Sequence, residues 1–234
     1  MPADLALPRI VVLSGTMIGV GKTTATAAVA SVLAARGLSV AVIKPVQTMI
    51  ESETRDDAAW VAEMVEGVDA QTYINLPVFM PPAAGARSLG QELPPVISHA
   101  RALIELTAQH DVVLVEGSGG LLVRLDNAGG TIADLAMGLR YKGVSTGFIL
   151  VATANPGTIN LTALTSEALE QRGLPLVGVI IAKWPAAPTQ LNESNRTEIP
   201  DAAGAPLLGV LPEDLSALPP AQFREVAAQC LNGL

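Results

Sequence analysis

Six consecutive residues, Gly19-Val20-Gly21-Lys22-Thr23-Thr24, follow an apolar run at residues 10–13 and open a long helical pattern. Their types and order suit phosphate chemistry. Glycines let backbone N–H groups face an anion, a lysine can reach the outer phosphate oxygens, and a hydroxyl beside it can ligate Mg²⁺. A helix beginning there also points its unpaired N–H groups and positive dipole end at the same anion. The loop is a variant of the common phosphate-binding pattern. That pattern has a glycine with four residues between it and the Gly-Lys pair; here the position is Thr16, and the upstream glycine is Gly15.

Three other segments carry groups of matching chemistry. Lys44-Pro45-Val46-Gln47-Thr48 ends a second apolar run with a cation and a hydroxyl, a plausible second phosphate contact. Glu116-Gly117-Ser118-Gly119-Gly120 ends a third with a carboxylate suited to Mg²⁺ and glycines that allow close approach of a ligand. Asp56 and Asp57 open a helical pattern after a polar stretch, where either helix capping or Mg²⁺ ligation is open to them. Gly157-Thr158-Ile159-Asn160 leads into a further helix whose free N–H groups suit a carboxylate or phosphate, and ordinary capping accounts for it equally well. Neither His99 and His110 nor the single Cys230 has metal-ligand spacing. Trp184, in the loop after a strand, is a candidate for stacking on a base, whereas Trp60 reads as core or interface.

These segments need elements to position them. Apolar runs at residues 9–14, 39–44, 111–116, 145–153, 176–182 and 206–211 read as buried strands. Helical patterns lie between and after them at 21–35, roughly 56–65, 95–108, 131–139, 158–172 and 221–231, and residues 77–84 and 184–188 read as connecting loops. The alternation predicts an α/β fold, a doubly wound, mostly parallel sheet flanked by helices, with ligands at the carboxyl ends of the strands. Lys44 and Glu116 are then expected to close their strands. A chain of 234 residues, 50% hydrophobic, can bury one sizeable core, so one domain spanning 1–234 is expected. The formal charge of −8 argues against nucleic acid as a partner. The apolar runs fall short of the roughly 18 residues a membrane helix needs. A lone cysteine and a first segment without the layout of a signal peptide point to the cytoplasm.

Taken together, residues 14–23, 44–48 and 115–120 resemble the dethiobiotin synthetases in order and spacing, and the likeness extends through 131–135, 157–160 and 205–212. The resemblance implies a P-loop NTPase-like fold and a homodimeric, Mg²⁺-dependent ligase of biotin synthesis. Such an enzyme joins CO₂, or bicarbonate as its source, to 7,8-diaminononanoate and closes a cyclic urea, with ATP as the usual energy source. It implies Lys22 and Lys44 as catalytic cations, and Thr23, Asp57 and Glu116 as holders of Mg²⁺. It implies nucleotide contacts from Gly19 through Thr24, from Glu116, Gly117, Ser118 and Gly119, and from Ala182, Lys183, Leu211, Pro212 and Glu213. Substrate contacts fall to Thr48 and, from the neighbouring subunit, to Gly157, Thr158 and Asn160.

The chain departs from the family pattern at four positions. Ile18 stands where a threonine is common, Met49 where a glycine often follows the Lys-Pro-Val-Gln-Thr run, and Ser118 where alanine is usual. Ala182 stands where some members read adenine with an asparagine; an aliphatic side chain cannot make that paired contact, so CTP or another triphosphate is expected to be accepted. Three other readings compete. A cobyrinate-type amidoligase would need a glutaminase domain that this chain is too short to hold. A ParA/MinD-like switch would carry an extra lysine early in the loop, where Gly15-Thr16-Met17-Ile18 has none. The third is a degenerate nucleotide-binding homologue without turnover.

Overall fold

The computed structural model describes residues 7–48 and 56–234. Met49 lies outside them. Seven strands form one sheet in the order β3-β2-β4-β1-β5-β6-β7, every neighbouring pair parallel. They are β1 (Ile10–Gly15), β2 (Val40–Thr48), β3 (Asp69–Leu76), β4 (Val112–Gly120), β5 (Thr146–Ala152), β6 (Leu176–Trp184) and β7 (Leu207–Pro212). The helices are α1 (Lys22–Ala35), α2 (Asp57–Met64), α3 (Pro82–Ser88), α4 (Ala100–Thr107), α5 (Ile132–Tyr141), α6 (Thr158–Glu170), α7 (Gln190–Ala203) and α8 (Pro220–Cys230).

Strand alternation divides the core between the two faces. Val11 and Leu13 of β1 join α1, α2 and α8 on one face, and Ile10 and Val12 join α3, α4 and α5 on the other. A third cluster packs Ile199 and Ala203 of α7 against Leu150, Val179 and Ile181. Both faces are covered, which is why the central strands read as continuous apolar runs rather than alternating ones. Helix α1 is rich in alanine, and Ala25 through Leu33 are all buried beneath its neighbours. No described helix is long and apolar enough to cross a membrane.

Three elements were absent from the sequence reading. Strand β3 sits at the sheet edge and is only partly buried, so it lacks an apolar run. Helix α7 is polar and carries Pro200 inside its last turn. Helix α3 begins at Pro82, so the expected loop at 77–84 is in part helical. Residues 95–108 divide into a 3-10 turn at Val96–His99 and then α4.

Lys44 and Glu116 were expected from sequence to close their strands, but each strand runs four residues further. The reason lies in the pairing. Strands β2 and β4 pair side by side only from Val40↔Val112 to Ile43↔Val115. Beyond that point β2 pairs on with β3, from Val46↔Ile74 to Thr48↔Leu76, while β4 meets β1 at Gly15↔Gly120. Pro45 has no N–H to offer a neighbour. A crevice therefore opens between β2 and β4 at the level of Lys44 and Glu116.

Candidate functional site

The loop between β1 and α1 turns back sharply over the sheet. At Gly15 a Cβ would stand 2.8 Å from the Met17 carbonyl oxygen and 2.8 Å from Val20 Cγ2, so a side chain there would force the turn open. Val20 is buried and ties the loop to the core. Gly21 is the N-cap of α1 in the left-handed region, φ 95°, and supplies no side-chain cap. The first N–H groups of α1 are thus left for a ligand.

Four ionisable groups converge beside it. Lys44 donates to Glu116 Oε1 at 2.7 Å and also to Asp57 Oδ2. Thr23 Oγ1 donates to Glu116 Oε1, and Thr26 Oγ1 lies 2.9 Å from Glu116 Oε2. Burial alone would raise the Glu116 carboxyl, but Lys44, Lys22 and the Thr23 hydroxyl outweigh it and hold it below its ordinary value. Burial likewise acts to lower Lys44, and Glu116 with Asp57 raise it overall. For Lys22 burial prevails over the attraction of Glu116, and its ammonium is lowered. Asp57 is raised, first by burial and further by Glu116, against the pull of Lys44.

The adjacent aspartates separate cleanly. Asp56 caps α2, accepting from the Ala59 N–H, and is held from β3 by Thr72 and Asn75. Asp57 turns inward to Lys44, its own N–H donating to Gln47 Oε1 at 2.8 Å.

A cavity of about 380 Å³ takes in Gly19, Gly21, Lys22, Thr23, Thr24, Lys44, Thr48, Asp57, Glu116, Ser118, Gly119 and Lys183. Ile18, Phe79 and Ser216 complete its wall. An apolar hollow of about 450 Å³ adjoins it, sharing Ile18, Thr48, Phe79, Ser118 and Gly119 and running on over Met17, Met80 and Pro81. Ser118 donates to the Val46 carbonyl, which reconnects β4 to β2 across the crevice. A Cβ placed on Gly117 would meet the Leu13 carbonyl oxygen at 3.5 Å and Ile132 at 3.6 Å, ordinary contact distances. A larger hollow of about 600 Å³ between α6 and α7 is lined by Glu167, Glu170 and Asp201 with no basic residue, and does not suit a triphosphate.

The remaining residues picked out by sequence lie elsewhere. Ala182 is buried beneath Gly21, with 3.0 Å between its Cβ and a Cβ placed on that glycine. Leu211 is buried, Pro212 pairs with Trp184, and the Glu213 N–H donates to the Trp184 carbonyl at 2.9 Å. Trp184 lies under Arg196, 5.7 Å from its ring, and is not part of the cavity wall. Trp60 meets Phe223 edge to face. Gly157, Thr158 and Asn160 begin α6 outside this cavity, with Gly157 at φ 85° and the buried Thr158 hydroxyl without a partner among the described residues.

Sequence reasoning missed Thr26, Phe79, Ser216 and the two asparagines that hold the start of α6. Thr26 was findable, one helical turn beyond Thr23 on a helix already expected. Asn192 and Asn195 of α7 both donate to the Ala154 carbonyl, at 3.0 and 2.8 Å, and so fix the loop leading to Gly157.

Sites for a divalent cation are testable on donor chemistry. The Thr23 hydroxyl and the Asp57 and Glu116 carboxylates are hard oxygen donors, and the Lys44 ammonium already occupies the place between the two acids. The set fits Mg²⁺. No group of three or more His, Cys, Asp or Glu gathers among the described residues, so nucleotide phosphates and water would complete the shell.

A glycine loop at the centre of a parallel sheet, its lysine and threonine facing a strand carboxylate, defines a P-loop nucleotide-binding protein. A family model described as an AAA domain matches residues 9–221. The fold is similar to that of the septum site-determining protein MinD of Pyrococcus horikoshii complexed with Mg-ADP (TM-score 0.60, 18% identity, 97% of this chain and 94% of that one). It is similar also to a ParA family ATPase of Chlorobium tepidum (TM-score 0.57, 13% identity, 97% and 98%). At such identities the likeness shows the fold alone. The sequence carries more. An ATP-dependent dethiobiotin synthetase of Streptomyces avermitilis is 43% identical over 217 residues, covering 92% of this chain and 88% of that protein. One of Saccharopolyspora erythraea is 43% identical over 220 residues, covering 93% of each. The chain belongs to the ATP-dependent dethiobiotin synthetase family.

Proposed function

We propose that this chain is a ligase that carboxylates 7,8-diaminononanoate and closes the cyclic urea of dethiobiotin, driven by a nucleoside triphosphate. One observation carries the reading: the lysine, threonine and carboxylate cluster of the phosphate loop opens directly into an apolar hollow. A diamine at the end of a hydrocarbon chain is complementary to that pair of spaces.

One amine adds to CO₂ and loses a proton, giving a carbamate. A carbamate oxygen attacks the γ-phosphorus, the bond to the β-phosphate oxygen breaks, and the nucleoside diphosphate departs. The second amine then attacks the carbonyl carbon, loses a proton, and phosphate leaves as the ring closes. Lys22 and Lys44 lie where negative charge gathers in each step, and fixed cations in a buried site favour that charge without reorganising. Mg²⁺, when bound by Thr23, Asp57 and Glu116, would offset phosphate charge. Thr48, on the wall shared by both spaces, orients the diamine end. Little covalent chemistry falls to the protein, and positioning dominates.

The substrate carboxylate is assigned to Gly157, Thr158 and Asn160 of a second copy, which makes the working unit a homodimer. The exposed Met17, Ile18, Phe79 and Met80 around the hollow favour such an interface. The buried, aliphatic Ala182 favours loose reading of the base, with CTP accepted beside ATP. We place the enzyme in the cytoplasm, as one domain.

Phosphate release from ATP or CTP, with diaminononanoate, bicarbonate and Mg²⁺ each omitted in turn, tests the reading. Release that needs every component, with the cyclic urea found by mass spectrometry, is expected. Nucleotide hydrolysis indifferent to the diamine would sink the ligase; strong preference for ATP in competition would sink the relaxed base choice.

A further inference from the structure

The two oxygens of the Glu116 carboxylate keep different company. Oε1 accepts from Lys44 at 2.7 Å and from the Thr23 hydroxyl at 2.9 Å, both donors standing on the wall of the phosphate cavity. Oε2 has one partner among the described residues, the Thr26 hydroxyl at 2.9 Å. Thr26 itself is outside that wall. Alternation along the strands explains the meeting: Lys44 and Glu116 project to the same side of the sheet as Val42 and Leu114, the side that α1 covers. Thr26 lies on α1 one turn beyond Lys22.

Nothing within a glutamate side chain fixes the plane of its carboxylate, because the last torsion is broad and roughly two-fold. Here the plane is held from both ends, by Lys44 and Thr23 at one oxygen and by Thr26 at the other. Glu116 is 1% exposed and Thr26 0%, so bulk water reaches neither. The Thr26 hydroxyl also lies 2.9 Å from a second acceptor, the Lys22 carbonyl. One proton faces two acceptors. Given to the carbonyl, it makes the back-bond common to helical threonines and leaves a buried carboxylate oxygen unmet. Given to Glu116, it leaves a carbonyl that the helix ladder already serves. An unmet charged group is the costlier of the two, so the proton belongs to Glu116.

We infer that Thr26 is a positioning residue for the metal-binding carboxylate, its hydroxyl turning Glu116 so that Oε1 is presented to Lys44 and Thr23 at the cavity wall. It acts on the cation only through Glu116. The inference rests on the Mg²⁺-nucleotide reading above.

Calorimetric titration with the non-hydrolysable ATP analogue AMPPNP, once in excess Mg²⁺ and once in EDTA, gives the factor by which the cation tightens nucleotide binding. Valine at this position keeps the shape and removes the donor. In Thr26→Val the factor is expected to fall about tenfold, as for the loss of a hydrogen bond to a charged group, while affinity in EDTA stays within about threefold. Thr26→Ser keeps the hydroxyl and is expected to hold the factor within about twofold of the parent. In a Glu116→Gln background, Thr26→Val is expected to change it by less than about twofold, because the oxygen it serves has lost its charge. Should Thr26→Val not fold, Thr26→Cys, of similar size with a weaker donor, is read in its place. An unchanged factor in Thr26→Val, or an equal loss with and without Mg²⁺, would overturn the inference and leave the proposed function standing. So would a parent protein that binds the analogue equally in both conditions; one that binds it in neither would overturn the proposed function as well.

Discussion

The two flanks of the phosphate loop are built on opposite terms. On the β2–β4 side the charges answer one another: Lys44 bridges Asp57 and Glu116, and Glu116 is met again by Thr23 and Thr26. On the β5–β6 side groups are left unmet. Gly157 gives α6 no side-chain cap and, among the described residues, the buried hydroxyls of Thr158 and Thr162 have no partners and Lys183 has no ion pair. The contrast teaches which half is finished by folding and which by binding. A buried charge network must be satisfied before any ligand arrives, or the fold bears the penalty. Groups at the edge of a helix start can wait.

The largest expected effect comes from breaking the finished flank. Lys44→Ala leaves two carboxylates facing each other, and loss of one partner from a buried pair costs about 3–5 kcal/mol. For a chain of this length that is a fall in Tm on the order of 10 °C by calorimetry. Turnover should drop at least about 100-fold, as when a stabilising donor is removed from an active site. A Lys44→Met/Glu116→Gln double variant that melts no higher than Lys44→Ala would show that the charges are not coupled as described.

Next in size is the acid dependence of stability. The Glu116 carboxyl is held below its ordinary value of 4.5, so its contribution is complete above that pH and fades as pH falls through the lower, folded value. Glu116→Gln should flatten that acid limb. Tm measured from pH 6 downward decides it; an unchanged slope counts against the pairing.

The unfinished flank should answer in the opposite sense. Thr158→Val replaces a buried hydroxyl unmet among the described residues with a methyl group and is expected to leave stability unchanged or raise it, by up to about 1 kcal/mol, read as an unchanged or higher Tm. The same variant should raise KM for the diamine several-fold. A loss of stability like that of Lys44→Ala would erase the distinction between the flanks. Smallest is Ser118→Ala, which removes the bond to Val46 across the crevice: about 1 kcal/mol and less than a twofold change in kcat.

Much of this arrangement was legible in the sequence. The loop from Gly19 to Thr24 and the apolar runs of the six buried strands stand out because phosphate loops and doubly covered parallel strands have distinctive composition. Edge strand β3 and helix α7 did not, since neither is strongly apolar; yet Tyr73 and Ile74 are good strand formers, and Thr189 and Asn192 form the capping box that begins α7. Sequence also placed the ends of β2 and β4 four residues early. Local pattern shows where a strand is buried, but where it leaves one neighbour for another is settled by pairings across the sheet. Asn192 and Asn195 were invisible for the same reason, because the Ala154 carbonyl they hold is about 40 residues away in the chain.

The position of β1 bears on how the chain is made. Residues 10–24 leave the ribosome before β4 and β5, yet among the described residues β1 pairs only with those two strands, whose last residues are Gly120 and Ala152. At 5–20 residues per second, on the order of 10 s separates synthesis of the phosphate loop from synthesis of the strands that back it. During that interval the nascent chain holds the sequence of a nucleotide site without its geometry. Stabilisation by a bound nucleotide therefore reaches the phosphate loop only after β4 and β5 have been built.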